Sequence, residues 1–98
     1  MTDANEANAV RARVIVTGLV QGVGYRAFTV RAATKRGLVG GVRNLDDGRV
    51  ELEVEGPEAG ILALIEELKV GPPVSRVKSV QAEWGNATGR DTEFLVWY

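Results

Sequence analysis

The segment VGGVRNLDDGRVELEVE (residues 39–55) predicts a β-hairpin, and the other elements of the fold can be arranged around it. Residues 39–45 and 49–55 are β-prone runs, and the Asp-Asp-Gly sequence between them is a strong signal for a tight turn. In the second run, three aliphatic side chains alternate with three glutamates. This period of two predicts a strand that is buried on one face only.

The sequence before the hairpin predicts a strand, a loop and a helix. Residues 10–17 largely alternate between apolar and polar side chains, which is the pattern of a half-buried strand. Residues 18–24 contain three glycines and are predicted to form a loop. Residues 25–36 lack glycine and proline and carry apolar side chains at helical spacing, and Gly37 is placed to end that helix.

The sequence after the hairpin predicts a second helix and two more strands. Gly56 and Pro57 are expected to break the second hairpin strand. Residues 59–69 carry aliphatic side chains at positions i, i+3, i+4 and i+7, which predicts a helix with one apolar face. Residues 74–84 and 92–98 are predicted strands, and a loop separates them.

This order of elements, β-α-β-β-α-β with one further strand, predicts an α+β fold. We expect a ferredoxin-like βαββαβ sandwich, in which a mostly antiparallel sheet carries two helices on one face. The length of 98 residues allows one domain, which we place at residues 10–98. Residues 1–9 are polar and lack the basic and apolar regions of a signal peptide, so they predict a flexible N-terminal tail and a cytoplasmic location.

The composition excludes several classes of protein. Hydrophobic residues make up 45% of the chain and charged residues 26%, as in an ordinary globular domain. No apolar run approaches the roughly 18 residues of a membrane helix, so no membrane partner is expected. The absence of cysteine and histidine excludes disulfides, thiolate nucleophiles, zinc–thiolate centres and histidine general bases. The net charge is −1, but residues 1–49 carry eight basic and four acidic side chains, so an anionic ligand should prefer this half.

The glycine-rich stretch GLVQGVGYR (residues 18–26) is the best candidate for an anion site. It runs from a strand end into a helix, so its backbone N–H groups can converge, and the helix N-terminus adds partial positive charge. Arg26 can place two parallel N–H groups on phosphate oxygens. A Walker loop is excluded because Tyr25 follows Gly24, and the Rossmann spacing is missing. From these residues alone, an ordinary loop with a solvated arginine remains an alternative.

Asn44 is the second candidate, because it precedes the predicted turn of the hairpin. One interpretation is an amide that caps its own hairpin. The other is an amide that orients a water molecule by hydrogen bonds, since an amide cannot usefully accept a proton as a base. The residues alone leave both interpretations open.

Two further groups of residues are explained more simply by structure than by ligand binding. One group consists of acidic residues that could attract a divalent metal, namely Asp46, Asp47 and the hairpin glutamates. A polar turn and a solvated strand face produce the same pattern. The other group consists of aromatic residues that could stack on nucleic acid bases, namely Trp84, Trp97 and Tyr98. An RNA-recognition sheet carries such residues on its central strands, where this sequence has none. We therefore expect these aromatic residues in core or edge packing, and no nucleic acid partner.

Taken together, GLVQGVGYR and GGVRN (residues 40–44) resemble the two signatures of the acylphosphatase family. Gly48, Val50 and Gly56 stand at the expected later spacings, and the resemblance extends over residues 10–98. It implies hydrolysis of a carboxylic–phosphoric anhydride to carboxylate and phosphate, without a metal or a cofactor. The implied catalytic residues are Arg26, which grips the phosphoryl group, and Asn44, which positions the attacking water. The implied phosphate-binding residues are Gln21, Gly22, Val23, Gly24, Tyr25 and Arg26.

The resemblance also predicts partners and leaves alternatives. We expect a monomer that acts on a small acyl phosphate and is inhibited competitively by inorganic phosphate or sulfate. The alternative is a non-catalytic binding or accessory module, like the acylphosphatase-like domain of hydrogenase-maturation proteins. An RNA-binding domain of the same fold is disfavoured, because the stacking aromatics and a basic face are absent.

The sequence departs from the family pattern at two positions. Tyr25 stands where the family usually has phenylalanine, which is expected to add a hydroxyl beside the site. Gly41 stands where the family usually has an aromatic residue, so a side chain is missing from the first hairpin strand.

Overall fold

The computed structural model describes residues 9–98, so residues 1–8 of the predicted tail lie outside the described residues. The elements in chain order are β1 (Ala9–Leu19), α1 (Tyr25–Lys35), β2 (Val39–Asn44), β3 (Val50–Pro57), α2 (Glu58–Val70), β4 (Arg76–Asn86) and β5 (Phe94–Val96). The strands form one sheet in the order β4-β1-β3-β2-β5. Only β2 and β5 pair in parallel, and the other neighbours are antiparallel. The predicted ferredoxin-like α+β architecture is confirmed.

β1 and β3 are longer than predicted, because they extend each other by pairing. Ala9, assigned to the tail, pairs with Pro57, so the first strand begins one residue earlier than expected. Gly56 also pairs with β1, so Gly56 and Pro57 end β3 rather than break it. At the other end, Gly18 and Leu19, assigned to the loop, continue β1 along β4 beyond an irregularity in the register.

The last two strands differ from the prediction in position and length. β4 begins at Arg76 instead of residue 74, because the backbone N–H of Ser75 donates to the Pro72 carbonyl in a turn, at 2.9 Å. The Ser75 hydroxyl donates to the same oxygen at 2.7 Å. β5 covers only Phe94–Val96, because its pairing with β2 is limited to three residues.

The core lies between the two helices and one face of the sheet. The alternating residues of β1 and β3 are fully buried there, and α2 adds Ile61, Leu64 and Leu68 from its predicted apolar face. Trp84 lies on the edge strand β4 and is 44% exposed, whereas the prediction of core or edge packing was wrong for Tyr98, which is fully exposed. Within residues 9–98, neither helix is long and apolar enough to cross a bilayer.

Trp97 explains why the chain tolerates glycine at position 41. The indole ring occupies the space that a side chain on Gly41 would need. The backbone N–H of Trp97 donates to the Val42 carbonyl at 2.7 Å, which fixes the tryptophan beside β2. An aromatic ring from beyond β5 therefore covers the first hairpin strand, on which the family resemblance would place an aromatic side chain.

The sheet face opposite the helices carries ion pairs rather than a solvated row of glutamates. Glu51 is only 5% exposed and lies between the guanidinium groups of Arg13 and Arg43. Glu55 is equally buried and accepts from Arg11 at 3.0 Å. The arginines of β1 and β2 face these glutamates across the strands, so the charges neutralise one another.

Glu55 also holds the loop between β4 and β5 on the sheet. Its carboxylate accepts the backbone N–H groups of Thr88 and Gly89, at 2.8 and 2.7 Å. Burial raises the pKa of Glu55, but these N–H donors and Arg11 outweigh the burial and lower the pKa to about 2. The ionised carboxylate is thus more stable in the folded state than in the unfolded state.

Acid should therefore destabilise the protein through Glu55. A lowered folded-state pKa contributes stability above the unfolded-state pKa, near 4.5, and the contribution is lost as the pH falls towards 2. The scale of the loss is about 3 kcal/mol in the free energy of unfolding. Urea unfolding between pH 6 and 2 would measure it, with Glu55→Gln as the control. An equally steep decline in both proteins would contradict the assignment to Glu55.

Candidate active site

The glycine-rich loop between β1 and α1 owes its shape to two left-handed residues. Gly22 and Gly24 have φ angles of 74° and 78°, which L side chains rarely adopt. A Cβ at either position would meet nothing within 4 Å. The glycines are therefore required for the backbone conformation of the loop.

The first turn of α1 offers uncapped N–H groups to an anion. Gly24 is the N-cap residue and has no side chain, so no side-chain hydrogen bond caps the helix. The helix begins with the Phe28 N–H donating to the Gly24 carbonyl at 3.0 Å, and the first turn contains no acidic residue. The free N–H groups and the positive end of the helix dipole consequently favour a bound anion.

The loop, α1 and the end of β2 enclose a cavity of about 260 Å³. It is lined by Val20, Gly22, Gly24, Tyr25, Arg26, Ala27, Asn44, Val96 and Tyr98. The structure thus brings Arg26 and Asn44 into one cavity, although they lie on different elements. Gln21 and Val23 do not line it, and Val23 packs against the core instead.

Arg26 supplies an uncompensated positive charge to this cavity. No aspartate or glutamate belongs to the lining, and within residues 9–98 Arg26 forms no ion pair. Most other arginines are paired with carboxylates, among them Arg11, Arg13, Arg36, Arg43, Arg49 and Arg90. An arginine without a partner keeps its five donors available for a ligand.

The Asn44 side chain is also free to bind a ligand. Its Oδ1 atom is buried and accepts no hydrogen bond from any described residue. The turn is closed by other groups, since the Leu45 N–H donates to the Arg49 carbonyl at 2.8 Å. Asp47 accepts the Arg49 backbone N–H at 3.1 Å and its Nε–H at 2.8 Å. Within residues 9–98 the hairpin-capping interpretation of Asn44 is therefore wrong.

Asp46 and Asp47, which could suggest a metal site in the sequence, have ordinary roles in the turn between β2 and β3. Asp47 is paired with Arg49, and Asp46 is exposed. Residues 9–98 contain no group of three or more aspartate, glutamate, histidine or cysteine side chains arranged to hold a metal ion. The two aspartates are explained by the turn itself.

Tyr25 places its hydroxyl in the core and not beside the site. The hydroxyl donates to the Leu68 carbonyl in the last turn of α2, at 2.7 Å, and burial raises the pKa of Tyr25. A helix would normally supply the N–H of residue 72 to this carbonyl, but Pro72 has none. The tyrosine hydroxyl replaces the missing donor and ties the start of α1 to the end of α2.

Tyr25→Phe should therefore destabilise the fold and leave the cavity intact. Loss of the hydroxyl leaves the buried Leu68 carbonyl without a hydrogen-bond donor. This loss should lower the free energy of unfolding by about 1–3 kcal/mol. Urea unfolding measures this, and Tyr98→Phe is the control, because its exposed hydroxyl should contribute nothing. Equal stability of the Tyr25 variant and the unmodified protein would show that Leu68 finds another donor.

Comparison with known proteins agrees with the architecture of this site. The acylphosphatase family model matches residues 12–96. The chain is 47% identical over 83 residues to an acylphosphatase of Anaeromyxobacter dehalogenans, a match that covers 85% of this chain and 89% of that protein. It also superimposes on the crystal structure of acylphosphatase from Bacillus subtilis, with a TM-score of 0.88 and 40% identity over 91% of this chain and 99% of that chain.

A second kind of solved structure has the same fold in a larger protein. HypF from T. kodakarensis matches with a TM-score of 0.79 and 36% identity over 91% of this chain. The match covers only 12% of the HypF chain. The fold therefore also occurs as a small part of a much longer polypeptide.

Proposed function

The chain belongs to the acylphosphatase family and is an acyl phosphate hydrolase, and from this premise we propose that Arg26 and Asn44 perform its chemistry. The observation that carries the proposal is their convergence on one cavity. Among the described residues, Arg26 forms no ion pair and Asn44 Oδ1 has no hydrogen-bond partner. The cavity holds both parts of a hydrolytic site, namely a cation for the phosphoryl group and an acceptor for a water O–H.

The first step is binding of the phosphoryl group. The backbone N–H groups of the cavity-lining residues Gly22, Gly24, Tyr25 and Arg26, at the positive end of α1, surround its oxygens, and Arg26 donates two parallel hydrogen bonds. The backbone donors are fixed by the loop and the helix before the substrate arrives, so they need little reorganisation during the reaction. The phosphate loop acts through its backbone, since the Tyr25 hydroxyl is bonded elsewhere.

The second step is attack by water on phosphorus. Asn44 Oδ1 accepts one water O–H and thereby directs the water oxygen towards the phosphorus atom. As the new P–O bond forms, the bond to the acyl oxygen breaks, and the carboxylate leaves with the electron pair. The proton of the water passes to a phosphate oxygen of the substrate, so no side chain is needed as general base.

Turnover should consequently show no bell-shaped dependence on pH. Arginine stays protonated and asparagine does not titrate, so kcat should be nearly flat from about pH 5.5 to 8. EDTA should leave kcat unchanged, because Arg26 supplies the charge that a metal would otherwise supply. The measurement is hydrolysis of benzoyl phosphate at saturation, with chelator and with added magnesium. A sharp optimum near neutrality, or a requirement for metal, would reveal a titrating or metal-bound group.

Hydrolysis of benzoyl phosphate also tests the alternative, which is a non-catalytic accessory module. The similarity to part of HypF is the observation that favours this alternative. Such a module would bind inorganic phosphate or sulfate in the cavity without turning over benzoyl phosphate. We expect turnover, with both anions as competitive inhibitors.

We also propose that the protein acts as a cytoplasmic monomer on a small acyl phosphate. Sedimentation tests the oligomeric state, and cell fractionation tests the location.

A further inference from the structure

We propose that Gln21 is a positioning residue, which fixes Asn44 relative to the phosphate loop through two hydrogen bonds to the β2–β3 turn. The inference rests on the proposed function, because it assigns Asn44 the task of directing the water. It gives the Gln21 side chain a role of its own, whereas the family resemblance implies only that Gln21 belongs to the phosphate-binding loop.

The amide nitrogen of Gln21 uses both of its hydrogens on the turn. Nε2 donates to the carbonyl oxygens of Leu45 and Arg49, at 2.8 and 2.9 Å. These two residues lie at the two ends of the turn and are themselves joined by the Leu45 N–H, which donates to Arg49 at 2.8 Å. Gln21 therefore bridges the base of the turn from a separate element, and its side chain does not line the cavity.

The position of Asn44 depends on this bridge more than on its own contacts. Its Oδ1 atom has no partner among the described residues, so the backbone determines where it lies. On the strand side, Asn44 is held by pairing with Val50. On the turn side, the next residue is Leu45, whose carbonyl is bonded to Gln21. The same glutamine precedes Gly22, so one side chain connects the phosphate loop to the residue that directs the water.

A loss of this connection should affect the reaction more than anion binding. Misplacement of a reacting group by about 1 Å can lower the rate about a hundredfold. The phosphate donors lie on the loop and on α1, and they do not need the turn. Gln21→Met keeps the length of the side chain and removes both donors, so kcat should fall by about tenfold to a hundredfold. The inhibition constant of phosphate should stay within about twofold, because Arg26 is untouched.

The deciding experiment is a double-mutant cycle with Asn44→Ala. If Gln21 acts through Asn44, Gln21→Met should lower kcat in the unmodified protein and lower it no further in the Asn44→Ala background. Additive losses, or a parallel loss of phosphate affinity, would overturn the positioning role. Gln81→Met is the matched control, since Gln81 is exposed on β4, and it should leave kcat unchanged.

Gln21→Glu provides an independent test if the methionine variant does not fold. An ionised carboxylate cannot donate to the two carbonyls, whereas the protonated acid can donate one hydrogen bond. The two carbonyl oxygens favour the protonated acid and raise its pKa. The kcat of this variant should therefore rise as the pH falls from 8 to 5.5, while that of the unmodified protein stays flat. A flat profile for the glutamate variant would contradict the proposal. If Asn44→Ala alone leaves kcat unchanged, the proposed function itself fails, and this outcome is distinct from additive losses.

Discussion

Arg26→Ala is expected to abolish phosphate binding and turnover together. Arg26 is the only cation that lines the described cavity, and no aspartate or glutamate lines it. An arginine that stabilises a transferring phosphoryl group contributes about a thousandfold or more to kcat. Arg26→Lys should also fail badly, because a point charge cannot reproduce two parallel N–H donors. Steady-state hydrolysis of benzoyl phosphate and phosphate inhibition measure both effects.

The control for Arg26 is a second arginine of the same helix. Arg31 lies on α1, is exposed and forms no ion pair with another described residue. Arg31→Ala should therefore retain turnover. If Arg26→Lys remains within about threefold of the unmodified protein, the difference is only ~0.7 kcal/mol, and the role assigned to the guanidinium is wrong.

The architecture could be predicted because local patterns and pairing point to the same fold. The alternation in residues 49–55 places Leu52 and Val54 in the core, and the tight turn defines the hairpin register. The element ends could not be predicted from local signals. Gly56 and Pro57 are residue types that usually end a strand. They continue β3 because they pair with residues of β1 that lie far away in the sequence.

The buried charges and the compensating side chains also depend on distant partners. Glu55 resembles a solvated strand residue until Arg11 and the loop after β4 cover it. The Tyr25 hydroxyl finds its function only where Pro72 leaves a carbonyl without a donor. Single-sequence periodicity cannot register such contacts, because it describes which face a residue occupies and not what meets that face.

The candidate site was predicted in part. The family resemblance named Arg26 and Asn44, and the structure brings them to one cavity. The role of the Gln21 side chain was missed, because no spacing relates residue 21 to the carbonyls of Leu45 and Arg49. The one sequence feature that could have indicated this role is a glutamine beside glycines in a loop, because its amide group can donate to two carbonyls.

Asn44→Ala should lower kcat strongly while phosphate binding stays nearly intact. Asn44 directs a water that matters only in the transition state, so its loss should raise the barrier by about 2–4 kcal/mol. The variant should remain folded, because the Asn44 Oδ1 accepts no hydrogen bond from the described residues and the turn is closed by Leu45 and Asp47. Urea unfolding tests this, and Asn86→Ala, at the exposed end of β4, should leave kcat and stability unchanged. A loss of phosphate affinity in proportion to kcat would make Asn44 a binding residue, because a group that acts on the transition state alone leaves the inhibition constant where it was.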